Sequence, residues 1–330
     1  MSEGLSFHNI PIVIGDNWRR DDTYEGVYPS GARDKDAYFS PDNPKDECIK
    51  PNWRYLFKLS RSTPQRDFPW QFWCEIIAYR FGSVIGVKVP PAHIGLSKIY
   101  EENVDTYAAL IEWFYDESKD IYITGEQIMV GLIEDFDTDK GRKHNFKTIR
   151  DFFKDNQEVF EKILECWASV LTFDTLIGNR DRHQENWGLI LEDARLNPKE
   201  VGICYLSPAF DNSTALCYEI PEQNIDLYEE DKLERYLTGK NAKHHMKWSL
   251  DEGKQLNFYE FMKRFVIEYP QVKPIMANHL SFTYEQVEEV LAHLVGAVSV
   301  PEYKLTRKRL DFVLKLIFER KRILEETLEL

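Results

Sequence analysis

The chain has 330 residues, 43% of them apolar and 14% aromatic, and its 42 basic and 56 acidic side chains give a net charge of −14. That apolar content supports a sizeable core and excludes disordered and collagen-like chains. So negative a charge argues against general nucleic-acid or anionic-membrane binding, since both need positive surface to release counterions.

No stretch reaches the roughly 18 uncharged apolar residues that span a bilayer, and residues 1–22 carry no signal-peptide pattern. The most apolar run, Ile163 to Ile177, is broken by Glu165 and Asp174. Cys48, Cys74, Cys166, Cys204 and Cys217 are odd in number and widely spaced, as reduced thiols are. A cytoplasmic protein without membrane insertion is expected.

In chain order, residues 15–52 are rich in Gly, Pro, Asp and Arg and predict loops around short strands. Tyr55–Ser60 reads as a strand. Asp67 is placed to cap a helix whose first turn accepts Pro69. Phe72, Trp73, Ile76, Ile77 and Phe81 follow at helical spacing, and Gly82 is expected to end the run. Val87–Ile94 and Thr106–Phe114 predict strands. Lys147–Phe153 and Val159–Ile177 predict helices, the second stopped by Gly178-Asn179 through a left-handed cap. Trp187–Leu191 and Val201–Leu206 predict a hairpin, and from about Asn257 the chain reads as helix. There Leu310, Val313, Leu314 and Ile317 repeat at i, i+3, i+4, i+7. The organisation is a mixed α/β N-terminal half, a polar loop centre and a helical C-terminal half.

The chemistry concentrates in Gly178-Asn-Arg-Asp181-Arg-His-Gln-Glu-Asn186, a polar loop between an apolar helix and an apolar strand, and in Ser207-Pro-Ala-Phe-Asp211-Asn beyond the hairpin. An Asp, an Asn five residues on, and a second Asp after a hairpin suit phosphoryl transfer. One carboxylate orients the attacking hydroxyl and accepts its proton, while an amide oxygen and another carboxylate supply hard oxygen ligands for magnesium.

These two segments resemble the catalytic and metal loops of the HipA-like serine/threonine protein kinases. The resemblance extends upstream through Tyr55-Leu-Phe-Lys58, Phe72-Trp-Cys-Glu75-Ile-Ile-Ala-Tyr-Arg-Phe-Gly82 and Gly86-Val-Lys-Val-Pro90, covering roughly residues 25–215. It implies a bilobal, protein-kinase-like α+β fold, with a small β-rich N-lobe over 1–114 and a large, mostly helical C-lobe over 115–330. It also implies the cofactors ATP and Mg²⁺, a protein substrate with a Ser or Thr acceptor, and an antitoxin-like regulatory partner. The lack of a separate N-terminal domain favours a compact, stand-alone kinase.

Carried over by position, Asp181 is the expected catalytic base, Asn186 and Asp211 the metal ligands, Lys58 the contact to the nucleotide phosphates, and Glu75 its ion-pair partner. Backbone near Ile111 and Glu112 falls where adenine is held. A G-x-G-x-x-G loop is missing. Its expected substitute is Tyr28–Lys35, where Gly31 permits close approach, Ser30 lies alongside, and Arg33 or Lys35 can reach phosphate. Ser30, Thr23 and Ser40 stand near that loop as candidates for autophosphorylation.

Competing readings are simpler. Asp181 and Asn186 suit turns, Lys58 suits a snorkelling strand lysine, Glu75 an exposed helix edge, and His183 a loop-holding role. Asp135–Gly141 misses calcium-loop spacing and reads as an acidic turn. His244-His245 lacks metal-ligand partners at useful spacing, Glu222–Glu234 reads as a solvated acidic face, and Lys304–Arg322 as a basic amphipathic helix packed on the domain. Two other functions compete with a protein kinase: a phosphoinositide-type lipid kinase, and a non-catalytic nucleotide-binding module.

Overall fold

The structure, a computed structural model, describes residues 5–24, 35–63, 66–101, 104–196 and 204–330. Strands β1 (Ile12–Ile14), β2 (Arg19–Arg20), β3 (Lys35–Phe39), β4 (Arg54–Lys58), β5 (Ser62–Thr63) and β6 (Arg66–Asp67) precede helix α1 (Trp73–Ile85). Strands β7 (Ala92–Glu101) and β8 (Val104–Glu112) follow. Among the described residues, six strands form one sheet in the order β1-β7-β8-β4-β3-β2, with β1 parallel to β7 and the other pairings antiparallel. β5 and β6 form a separate two-stranded ribbon.

Side-chain alternation decides what each strand offers to either face. In β4, Tyr55 and Phe57 join a small core with Ile12, Ile14, Trp18 and Leu110. Leu56 points the other way, into the main core shared with α1. Lys58, two residues on, therefore emerges on the α1 side.

The C-terminal part begins with β9 (Ile121–Thr124), α2 (Gly125–Leu132), α3 (Phe146–Phe153) and α4 (Gln157–Ile177). Strands β10 (Gly188–Leu191) and β11 (Cys204–Leu206) form the expected hairpin, with Leu189 opposite Leu206, and β9 adds a third strand. Residues 201–203 of the expected second strand lie outside the described residues. Helices α5 (Glu230–Thr238), α6 (Phe258–Glu268), α7 (Lys273–His279), α8 (Tyr284–Ala292) and α9 (Arg307–Leu328) complete the chain. The stripe Leu310, Val313, Leu314, Ile317 is fully buried on α9, each side chain stabilising the fold by about 1.5–3 kcal/mol. The basic residues of α9 divide: Arg309 is buried with its guanidinium over the Trp70 ring, and Lys308 stays exposed against Asp226. No described helix is long and apolar enough to cross a membrane.

Three expectations fail locally. Asp67 does not cap α1; it pairs within the β5–β6 ribbon and accepts from the Ser62 hydroxyl, while α1 starts only at Trp73. The Ser60 hydroxyl instead accepts from the Phe72 N–H. Gly82 lies inside α1, and the left-handed cap is Gly86. A Cβ on Gly82 would come within 2.5 Å of Val89 Cγ2, so this glycine serves close packing. Residues 87–91 are not strand, since Pro90 and Pro91 lack the N–H a ladder needs, and β7 starts at Ala92.

Burial also sets a pH response. It pushes the His93 and His245 imidazoles from 6.5 to about 4 and His244 to about 3. A histidine held neutral contributes stability that is complete above the ordinary value of 6.5 and is lost as pH falls toward those folded values. The melting temperature is therefore expected to fall between pH 6.5 and 4, and His244→Phe, set between Phe258 and Phe261, to make the fall shallower. Calorimetry across that range checks it; equal slopes for the two proteins would refute it.

Candidate functional site

The site starts from Lys58 at the end of β4. Its ammonium is 3% exposed and donates to Glu75 Oε1 and to Asp211 Oδ1, both at 2.8 Å. Glu75 stands in the first turn of α1 and is itself buried, so it is not an exposed helix edge. Its second oxygen accepts the Asn212 N–H at 3.0 Å. One carboxylate thus ties the sheet lysine, α1 and the segment after the hairpin together. Asp211 adopts φ 54, a left-handed conformation that Asp tolerates better than most residues, and also accepts from Ser213 Oγ at 2.9 Å. Burying one ammonium among carboxylates is tolerable only when the charges are paired and hydrogen-bonded.

The second half is the loop after α4. Gly178 caps that helix at φ 69, and packing forbids a side chain there, because a Cβ would lie 2.3 Å from Arg320 Nη2. Asn179 then accepts the Asp181 N–H at 3.0 Å and donates to Asp174 Oδ1 at 3.1 Å, buttressing Asp181 from below. Asn186 donates its amide to the Asp181 carbonyl at 2.7 Å, closing the loop across five residues. His183 accepts the Glu185 N–H at 3.3 Å, which makes it a loop-holding residue in geometry.

At the centre of both halves lies Arg182, 2% exposed. It pairs in two bonds with the buried Asp174 on α4, at 3.0 and 2.7 Å. It also donates to the Asn186 carbonyl, to the Phe210 carbonyl and to Asn212 Oδ1. A single planar fork fastens the 181–186 loop to the 210–212 segment. Burial opposes its charge, but the carboxylates of Asp174, Asp211 and Glu75 together outweigh that and hold the guanidinium above its ordinary pKa. Arg182, Asp174 and Asn212 were not among the expected site residues. The available signal was Asp174 itself, a carboxylate interrupting the most apolar run in the chain.

The donor set fits a hard divalent cation. Asn186 Oδ1 is a buried oxygen with no hydrogen-bond partner, while the same side chain's amide is occupied, so the oxygen is left for a ligand. Asp211 offers a carboxylate nearby in the network. Among the described residues no group of three or more His, Cys, Asp or Glu side chains is arranged to hold a metal. Two protein oxygens with the rest from phosphate and water is the usual manner of magnesium.

Beside Lys58 and Asp211 opens a narrow apolar slot, about 30 Å³ in volume, lined also by Leu56, Ile111, Phe114 and Phe210. Phe114 and Phe210 stack with centroids 4.9 Å apart. Ile111 and Glu112 border the slot. The Glu112 N–H donates to the Pro91 carbonyl, and its carboxylate accepts from the Lys50 ammonium at 2.6 Å. Ser30, Gly31 and Arg33 lie outside the described residues. Lys35 opens β3 opposite Lys58. Ser40 is buried with its hydroxyl donating to the Lys50 carbonyl, and Thr23 donates to Asp21.

Comparison with known proteins follows the geometry. The sequence profile described as the HipA-like C-terminal domain matches residues 28–298. No curated protein matches the chain. Among solved structures, the Helicobacter pylori proinflammatory kinase CtkA superposes with a TM-score of 0.60 at 16% identity, over 89% of this chain and 94% of that one. HipA of the Shewanella oneidensis MR-1 toxin–antitoxin system, in a complex with HipB and operator DNA, gives 0.46 at 12% identity, over 96% and 73%. The Golgi casein kinase gives 0.41 at 11% identity, over 91% and 72%. The expected kinase-like fold, a strand-rich N-terminal part on a helical C-terminal part, is the observed one.

Proposed function

Because the chain belongs to the HipA-like C-terminal domain family, we propose that it is a protein kinase transferring the γ-phosphate of ATP to Ser or Thr hydroxyls of a protein. The observation that carries this reading is the buried Lys58 ammonium, 2.8 Å from both Glu75 and Asp211. A lysine held so by two carboxylates from separate elements is a preorganised countercharge, of the kind that serves a triphosphate.

In this reading Asp181 orients the acceptor hydroxyl and takes its proton, and Lys58 neutralises phosphate charge. Asn186 and Asp211 hold Mg²⁺, which when bound would supply further charge neutralisation at the phosphates. The apolar slot beyond Ile111 receives the base, and the division near residue 114 is where the two lobes meet. An antitoxin-like protein is the regulatory partner that the family resemblance suggests.

The test is label transfer from γ-labelled ATP with Mg²⁺, offered the chain itself, a cell lysate and phosphoinositide vesicles in turn. Label on Ser or Thr of protein is the expected result. Label only in lipid would replace this reading with a lipid kinase, and ATP binding without transfer would replace it with a non-catalytic module.

A further inference from the structure

Beside the loop that carries Asp181 lies a second cavity, about 380 Å³, which none of the roles above uses. Arg180, Lys232, Arg235 and Arg320 line it, and Glu219 is the single carboxylate among its lining residues. Glu219 Oε1 is shared by Arg180 at 2.9 Å and the Tyr236 hydroxyl at 3.2 Å. Among the described residues no carboxylate forms a salt bridge with Lys232, Arg235 or Arg320. Lys232 sits over the Tyr228 ring at 4.3 Å, Arg235 donates to its own helix at the Asp231 carbonyl, and the buried Arg320 lies over the Tyr236 ring at 5.7 Å and donates to the Leu176 carbonyl at 3.4 Å. Of these cations only Arg320 is buried, while Lys232 is half-buried and Arg235 exposed; with Arg180 they make one locally positive concavity in a chain of net charge −14, a place where an anion is attracted rather than repelled.

Position and donor chemistry narrow the anion. Arg180 immediately precedes Asp181, and adjacent Cα atoms are about 3.8 Å apart, so the loop that carries Asp181 also supplies one wall of the pocket. Three arginines, a lysine and Asn241 line the one cavity and belong to separate segments of the chain. A phosphate monoester offers three acceptor oxygens and a charge near −2, whereas a carboxylate offers two oxygens and one charge. We propose that this pocket binds a phosphorylated side chain of the acceptor protein and thereby sets the acceptor hydroxyl against Asp181. The inference rests on the kinase reading for its purpose, though the binding itself does not.

The test measures binding, by calorimetry and by ligand-induced melting shifts on the full chain. The probes are a phosphoserine peptide, its serine and glutamate counterparts, and inorganic phosphate. The variants are Lys232→Ala/Arg235→Ala, both on the accessible side of the pocket, and Lys58→Met as a control for binding in the ATP cleft. The phosphoserine peptide is expected to bind wild type at least about tenfold more tightly than the serine or glutamate peptide. The double variant is expected to lose that preference, since charge-assisted bonds of this kind carry about a factor of ten each. Melting in anion-free buffer should be unchanged by the double substitution.

Retention of the preference in Lys232→Ala/Arg235→Ala, or its loss only in Lys58→Met, would overturn the pocket. Equal affinity for inorganic phosphate and the phosphopeptide would overturn the acceptor role in favour of a small soluble anion. No binding of any probe would overturn the proposal whole. Phosphopeptide binding by a chain that transfers no label would sink the kinase reading and leave the pocket standing.

Discussion

Asp181→Asn is expected to lower γ-phosphoryl transfer by about 10²–10⁴-fold, the range that a positioned general base contributes, while leaving the melting temperature within about 1 °C of wild type. The substitution keeps the shape of the side chain and its backbone bonds. Asn179 still receives the residue-181 N–H, and Asn186 still donates to the residue-181 carbonyl. What disappears is the carboxylate's ability to take a proton. Asp211→Ala should be as damaging to transfer by another route, because it removes the proposed metal ligand and one partner of Lys58. The two variants separate on magnesium: raising Mg²⁺ should recover part of the Asp211→Ala loss if a weaker site persists through Asn186, and none of the Asp181→Asn loss. Transfer at the wild-type rate by Asp181→Asn would refute the assignment of the base.

How far the sequence exposed this site depends on what each residue does. Lys58 stood out in the sequence only through the family resemblance, since by itself a lysine between Phe57 and Leu59 reads equally as a snorkelling strand residue. Asp181, Asn186 and Asp211 were legible as a motif, since a polar loop between apolar elements has no packing reason to exist. The limits of α1 were less so. Asp67 carries a good capping side chain, yet the β5–β6 ribbon captures it, and a tertiary pairing outranks a local preference worth about 1 kcal/mol. Gly82 reads as a helix stop but is needed where Val89 crosses the helix. The least legible residue was Arg182. Nothing local distinguishes it from Arg180, two positions earlier: one is 2% exposed and the other lines an open cavity. Only the three-dimensional meeting of α4 with the 210–212 segment separates them.

That meeting gives the largest expected effect on stability. Arg182→Ala leaves Asp174, fully buried, without its guanidinium, and removes the donors to the Asn186 and Phe210 carbonyls and to Asn212. Removing one partner of a buried ion pair costs about 3–5 kcal/mol, a large share of the roughly 5–15 kcal/mol that holds a protein folded. The melting temperature should drop by about 5–15 °C, and transfer activity should be lost even below the new transition, because the two loops are no longer tied. A paired replacement, Asp174→Leu with Arg182→Met, separates the two consequences. With no charge left unpaired it should regain much of the lost stability, as apolar substitutes for buried pairs often do. It should not regain activity, since Met offers no donor to hold Asn186 against residues 210–212. Thermal melts and label transfer on the three variants decide the matter: an unshifted melt for Arg182→Ala would show that the pair is not a structural fastening, and wild-type transfer by the paired variant would show that it does not position the loops.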